Sequence, residues 1–266
     1  HGAHLGFSAM LPPSAMQCGA DACAQSTHKT LGALTQCSML HVKGERIDLQ
    51  RAAAAMSLLT TTSPNYLLMA SLDAARNQLA EQGTEMAEAG LAVAKRLRES
   101  LRDVEGLEIL DARILKRHEV AAFDGTKVTV NVAGLGITGI EAGALLRENG
   151  LAVELVDRNN VLFLLTYADD NEEINSVIKT ITETFQAIKM QNKPSLPASG
   201  SYKMPAAQQV LRPRQAFYAA TEEIAFCQSS GRVSAEQISF YPPGIPVIIP
   251  GELVTKEILS YCQKML

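Results

Sequence analysis

Gln25-Ser26-Thr27-His28-Lys29-Thr30-Leu31 reads as a loop between two extended segments. Ala22 to Gln25 leads into it, and an apolar run from about Gly32 to Val42 leads out. Leu34, Cys37, Met39, Leu40 and Val42 make that run apolar on both faces, which predicts a strand in a covered sheet. A lysine directly behind small hydroxyl residues and a histidine suits a Schiff base to pyridoxal phosphate. The ε-amine needs a partly desolvated, polar-lined place, and Ser26, Thr27 and His28 can hydrogen-bond a phosphate. The plain alternative is a solvated surface lysine.

Working outward, Asp48 predicts an N-cap for a helix to Leu59, which ends in Thr60-Thr61-Thr62. Ser63-Pro64 then predicts a cap followed by a first-turn proline, opening a helix through Leu67, Leu68, Leu72 and Ala75. Hydroxyls against a helix N-terminus can hold an anion; simple capping explains them equally well. A separate amphipathic helix is expected from Gly83 to about Val104.

From about Leu107 the pattern turns to short strands and helices, an α+β unit. Strands are expected at Leu107 to Leu110, Lys127 to Ala133, Leu151 to Val156 and Val161 to Tyr167, with helices at Thr138 to Asn149 and Asn171 to Ile188. Residues 192–200 are rich in proline and serine and read as a linker. Beyond it, helical stretches around Gln215 and Thr255 flank Tyr241-Pro242-Pro243-Gly244-Ile245-Pro246.

Gly134-Leu135-Gly136-Ile137-Thr138-Gly139 is a literal G-x-G-x-x-G between a strand and a helix, with Asp157 near the acidic position of a dinucleotide fold. That fold needs a crossover helix between parallel neighbours. Asp157-Arg158-Asn159-Asn160 is instead a tight turn between two apolar runs, which predicts antiparallel strands. A nucleotide-binding module built on Gly134 to Gly139 stands as the rival reading.

The 266 residues are 47% apolar and 20% charged, ordinary globular composition, so disorder is excluded. A net charge of -4 and no tryptophan disfavour nucleic acid as a partner. No apolar run approaches the roughly 18 residues that span a bilayer, so no membrane is expected and the chain reads as cytoplasmic. Cys18, Cys23, Cys37, Cys227 and Cys262 include no C-x-x-C pair and read as reduced thiols. His1 and His4 lack companion ligands, so no metal is expected.

With the segments placed, the chain resembles the Orn/Lys/Arg decarboxylase family, fold type I enzymes dependent on pyridoxal phosphate. The resemblance rests on H-G-A-H-L-G-F with L-P-P-S-A-M behind it, on Q-S-T-H-K-T-L-G-A-L-T-Q-C-S-M-L-H-V, on T-T-S-P-N-Y-L-L-M-A-S-L-D-A-A-R, and on Y-P-P-G-I-P-V-I-I-P-G-E. It covers nearly the whole chain. The fold class it implies is α/β: the C-terminal part of an aspartate aminotransferase-like large domain (1–104), a smaller α+β domain (105–191), the linker (192–200) and a partial C-terminal domain (201–266).

The resemblance further implies that Lys29 carries the Schiff base and that Ser26 and His28 bind the cofactor phosphate. His1 would lie beside the cofactor, and Thr61, Thr62 and Ser63 would reach the phosphate of a neighbouring subunit, which implies a homodimer or higher oligomer. Glu252, in Pro250-Gly251-Glu252, would read the cationic end of the substrate; an ordinary surface glutamate is the alternative. The implied reaction is decarboxylation of arginine, lysine or ornithine to a polyamine-pathway amine. The start lacks an initiator Met and the tail ends within an expected helix, so the chain is expected to be an internal fragment, inactive alone and without the ring-pairing aspartate. A non-catalytic relative that keeps the fold for dimerisation or regulation is a further alternative.

Overall fold

A computed structural model describes residues 2–196, 204–241 and 244–265. His1, part of the proline-rich linker, and Pro242-Pro243 lie outside the described residues. The chain divides into two compact units, His1–Leu196 and Pro197–Leu266.

The first unit opens with an irregular segment and then the antiparallel pair β1 (Ala22–Gln25) and β2 (Met39–Val42). β2 is much shorter than the run from Gly32 predicts, and it is not buried on both faces: it pairs with β1 alone, Leu40 is exposed, and Met39, His41 and Val42 are only half-buried. Apolar content on both faces therefore misled. Local backbone breaks the strand, because Gln36 adopts a left-handed φ of 78°, which a ladder does not accommodate.

Helix α1 (Leu49–Leu59) starts where expected, with Asp48 accepting from the N–H groups of Gln50 and Arg51. Helix α2 (Tyr66–Leu101) corrects two expectations. Its N-cap is Asn65, which accepts from Leu67 and Leu68 N–H, so Ser63 is not the cap. It also runs through Gly83 as one 36-residue helix. Glycine weakens a helix by less than about 1 kcal/mol, and here it creates room: a Cβ on Gly83 would stand 2.8 Å from the Phe7 ring, and one on Gly90 3.2 Å from the Thr166 backbone. These two glycines, two turns apart, let the N-terminal segment and the 166–169 turn lie against the helix.

The rest of the unit is a four-stranded sheet in the order β3 (Glu108–Ile109), β4 (Lys127–Asn131), β6 (Asn160–Leu164), β5 (Leu155–Val156), antiparallel throughout. Val128 and Val130 of β4, and Val161 and Phe163 of β6, are buried at period two. They join the core with the C-terminal half of α2, with α3 (Gly139–Glu148) and with α4 (Ile174–Met190), whose Phe185 is fully buried. The turn at Asp157 is as expected: its Oδ1 accepts from Asn159 N–H at 2.8 Å and Asn160 N–H at 2.7 Å, an Asx turn that closes the β5–β6 hairpin.

The second unit pairs β7 (Gln208–Gln209) with β10 (Glu252–Leu253), and β8 (Ile238–Ser239) with β9 (Pro246–Ile248). Short α5 (Pro213–Tyr218) and amphipathic α6 (Lys256–Met265) accompany them, around a core of Val247, Ile248, Val254, Ile258 and Cys262.

Candidate functional site

The segment that carries Lys29 folds as a single 3-10 turn, Thr27–Lys29. Three residues per turn put positions i and i+3 on one side. Thr27 and Thr30 are thus both buried, and Lys29 between them is exposed, so this chain by itself does not give the amine the partly desolvated place expected of it. The turn is tied from behind. His28 sends its backbone N–H (3.2 Å) and its ring Nδ1–H (2.7 Å) to the Cys37 carbonyl. Cys37, itself buried, donates its thiol to the Leu68 carbonyl at 3.4 Å, and Leu34 N–H donates to Ser71 Oγ at 2.8 Å. The first turns of α2 therefore hold the loop, and Gly32 lets it pass close to the Tyr167 hydroxyl.

What the turn presents outward is a donor set with little else to do. Lys29 makes no hydrogen bond or ion pair among the described residues, and Ser26 makes no side-chain cap bond. Because a carbonyl can only accept, His28 must carry its proton on Nδ1, which leaves Nε2 free for a ligand. An unengaged amine, a hydroxyl and an imidazole nitrogen within four residues fit the aldehyde and phosphate of pyridoxal phosphate.

Other expected site residues are not joined to this turn. Thr61, Thr62 and Ser63 are exposed, and their one side-chain bond is internal, Ser63 N–H to Thr61 Oγ1 at 3.2 Å. The N–H groups expected to bind an anion there are instead met by Asn65. Glu252 is half-buried in the second unit, where its Oε2 accepts from Ile249 N–H at 2.8 Å and holds the Pro250-Gly251 turn closed. Among the described residues no hydrogen bond occupies its Oε1.

The glycines of Gly134–Gly139 serve packing. A Cβ on Gly134 would fall 2.3 Å from the Gly106 carbonyl oxygen, and one on Gly139 2.3 Å from that of Asn160, so protein backbone already fills the space a pyrophosphate would need. The α3 N-terminus is taken as well: Thr138 and Glu141 form a capping box, with the Glu141 carboxylate on Thr138 N–H at 2.7 Å. The antiparallel sheet removes the remaining requirement of the rival reading.

A cluster that sequence reasoning missed lies behind the Lys29 turn. His4 Nε2–H donates to Asp124 Oδ2 at 3.0 Å across 120 residues of chain. The same carboxylate accepts from Thr126 Oγ1 at 2.6 Å and from the Lys127 ammonium. Burial pushes the Asp124 carboxyl upward, but the hydrogen bonds from His4, Lys127 and Thr126 outweigh it and hold it well below the usual carboxylate range. Asp124-Gly125-Thr126 is legible as a turn signal, but nothing local pointed it at His4.

Residues 1–173 match the family model for the Orn/Lys/Arg decarboxylase major domain, and residues 199–266 match that for the Orn/Lys/Arg decarboxylase C-terminal domain. The chain belongs to this family. An arginine decarboxylase of Bacillus subtilis is 40% identical over all of the chain and 54% of its own length, and the constitutive lysine decarboxylase of Escherichia coli is 27% identical over 88% of the chain and 43% of its own. The chain thus spans about half the length of the curated relatives it matches. The solved structure of the Escherichia coli constitutive lysine decarboxylase superposes with a TM-score of 0.72 at 24% identity, covering 91% of this chain and 45% of that one, a likeness of fold. The mixed α/β fold and the family read from the motifs are both shown.

Proposed function

We propose that the whole protein decarboxylates a basic amino acid, arginine in the first instance, with pyridoxal phosphate held through Lys29. One observation carries the reading: in a member of this family, Lys29 has no ion pair among the described residues and stands in one short turn with the Ser26 hydroxyl and with a His28 ring whose Nδ1 is committed to Cys37. Arginine is favoured over lysine by the names of the more similar relatives, at 40% against 27% identity.

When bound, the cofactor supplies an electron-poor ring that takes up the electron pair left as carbon dioxide departs. Lys29, with no competing bond among the described residues, would supply the amine that holds the cofactor. Ser26 would donate its hydroxyl to a phosphate oxygen. His28, with Nδ1–H committed to Cys37, would meet the phosphate through a protonated Nε2. Thr61, Thr62 and Ser63, exposed on the surface, would serve a phosphate in a second subunit. Glu252 Oε1 would accept from the cationic end of the substrate, its other oxygen being fixed by Ile249.

The test uses the full-length protein. Borohydride reduction with pyridoxal phosphate should label Lys29 in a peptide map, and carbon dioxide release should be faster from carboxyl-labelled arginine than from lysine or ornithine. Lys29→Ala should cut that release by on the order of 10³ or more. Labelling at another lysine, or an unaffected Lys29→Ala protein, would remove the proposal.

A further inference from the structure

Directly behind the Lys29 turn lies a cavity of about 30 Å³, room for one water molecule. Its wall is largely apolar, from Leu31, Leu79 and Met86, yet His4 and Thr30 also line it. Both carry a buried polar atom with no hydrogen-bond partner among the described residues: His4 Nδ1 and Thr30 Oγ1. Thr30 is only 6% exposed. Two orphans at one small cavity are unexpected, since buried polar atoms almost always find partners.

The protonation pattern makes the two complementary to one ligand. Asp124 accepts from His4 Nε2–H, so a ring carrying that single proton offers Nδ1 as an acceptor. The Thr30 hydroxyl can donate or accept. A water molecule gives one proton to Nδ1 and exchanges a hydrogen bond with Thr30 Oγ1, which satisfies both; an apolar occupant satisfies neither. We propose that this cavity binds one ordered water shared by His4 and Thr30, and that the relay from Asp124 through His4 and the water to Thr30 positions the turn that presents Lys29. The positioning half rests on the reading of Lys29 given above.

Thr30 is the residue after Lys29 and closes the 3-10 turn, its backbone N–H on the Thr27 carbonyl. A fixed hydroxyl there fixes the peptide that follows the amine. His4, Asp124 and Thr30 are thus positioning residues. They tie the turn to the start of β4 and, through it, to the sheet.

A crystal structure of the full-length holoenzyme, at a resolution that shows ordered water, should place a water within hydrogen-bond distance of His4 Nδ1 and Thr30 Oγ1. A dry cavity overturns the proposal. Thr30→Val removes the hydroxyl at similar volume, and should slow borohydride labelling of Lys29 and weaken cofactor binding by absorbance titration, each by about tenfold, while the KM for amino acid stays within about twofold. Thr30→Ser should restore both. Wild-type labelling and affinity in a folded Thr30→Val protein overturns the relay, as does a Thr30→Ser protein as impaired as Thr30→Val. Labelling of the wild type at a different lysine would be a separate failure: it sinks the role of the amine and the positioning claim, whatever the density in the cavity.

Discussion

At the scale of single residues, Lys29 and His28 show a division of labour inside one turn. His28 spends Nδ1–H on Cys37, and that bond orients the ring and leaves Nε2 for a ligand. The two nitrogens can be separated by substitution. His28→Asn carries an amide donor near the Nδ1 position and nothing near Nε2, so in the full-length protein it should keep thermal stability close to wild type. Its affinity for pyridoxal phosphate should fall about 10- to 100-fold, the cost of one charge-assisted hydrogen bond. Fluorescence titration measures this, and unchanged affinity would show that Nε2 does not meet the phosphate. Lys29, His28 and Ser26 could be read from their order in the chain. The buried pair Thr27 and Thr30 could not, because the 3-10 period that turns them inward appears only once the loop is folded onto α2.

Secondary-structure elements were legible where a local signal fixed them and misread where packing overrode it. Asp48 caps α1 as its sequence context predicts, and the Asp157 turn makes the hairpin antiparallel. The run Gly32 to Val42 failed as a single strand because Gln36 turns left-handed. Gln36→Val should therefore cost about 1–2 kcal/mol in urea unfolding, while Gln36→Gly should cost nothing or stabilise slightly. Equal effects would mean that the φ at this position is not the constraint. Gly139 gives a second check: a methyl group there meets the carbonyl oxygens of Asn160 at 2.3 Å and Asp157 at 2.4 Å. Gly139→Ala should lower stability by about 1–3 kcal/mol through overpacking. Preserved stability, with NAD binding lost, would instead revive the nucleotide reading.

Across the whole molecule, Asp124 is where distant parts of the first unit meet. The N-terminal segment and the start of β4 converge on its carboxylate through His4, Thr126 and Lys127. Its folded pKa lies below the unfolded value, so the folded state favours the ionised form. The stabilisation is complete above the unfolded value, about pH 4, and is lost as pH falls through the lowered folded pKa. Asp124→Asn should thus flatten the acid limb of the stability curve below about pH 4 and cost about 1–3 kcal/mol at pH 7, as measured by urea unfolding. An acid limb as steep as wild type would exclude Asp124 as its source. By itself the sequence determined the family, the Asp48 cap, the antiparallel hairpin and the order of residues around Lys29, because each is written in neighbours a few positions apart. Only the tertiary structure decided that α2 runs unbroken through Gly83, that the glycines of Gly134–Gly139 serve backbone packing, and that His4 meets Asp124 behind Thr30. Those outcomes depend on what lies across the fold from each residue, and contacts made across 120 positions leave no periodic trace in the chain.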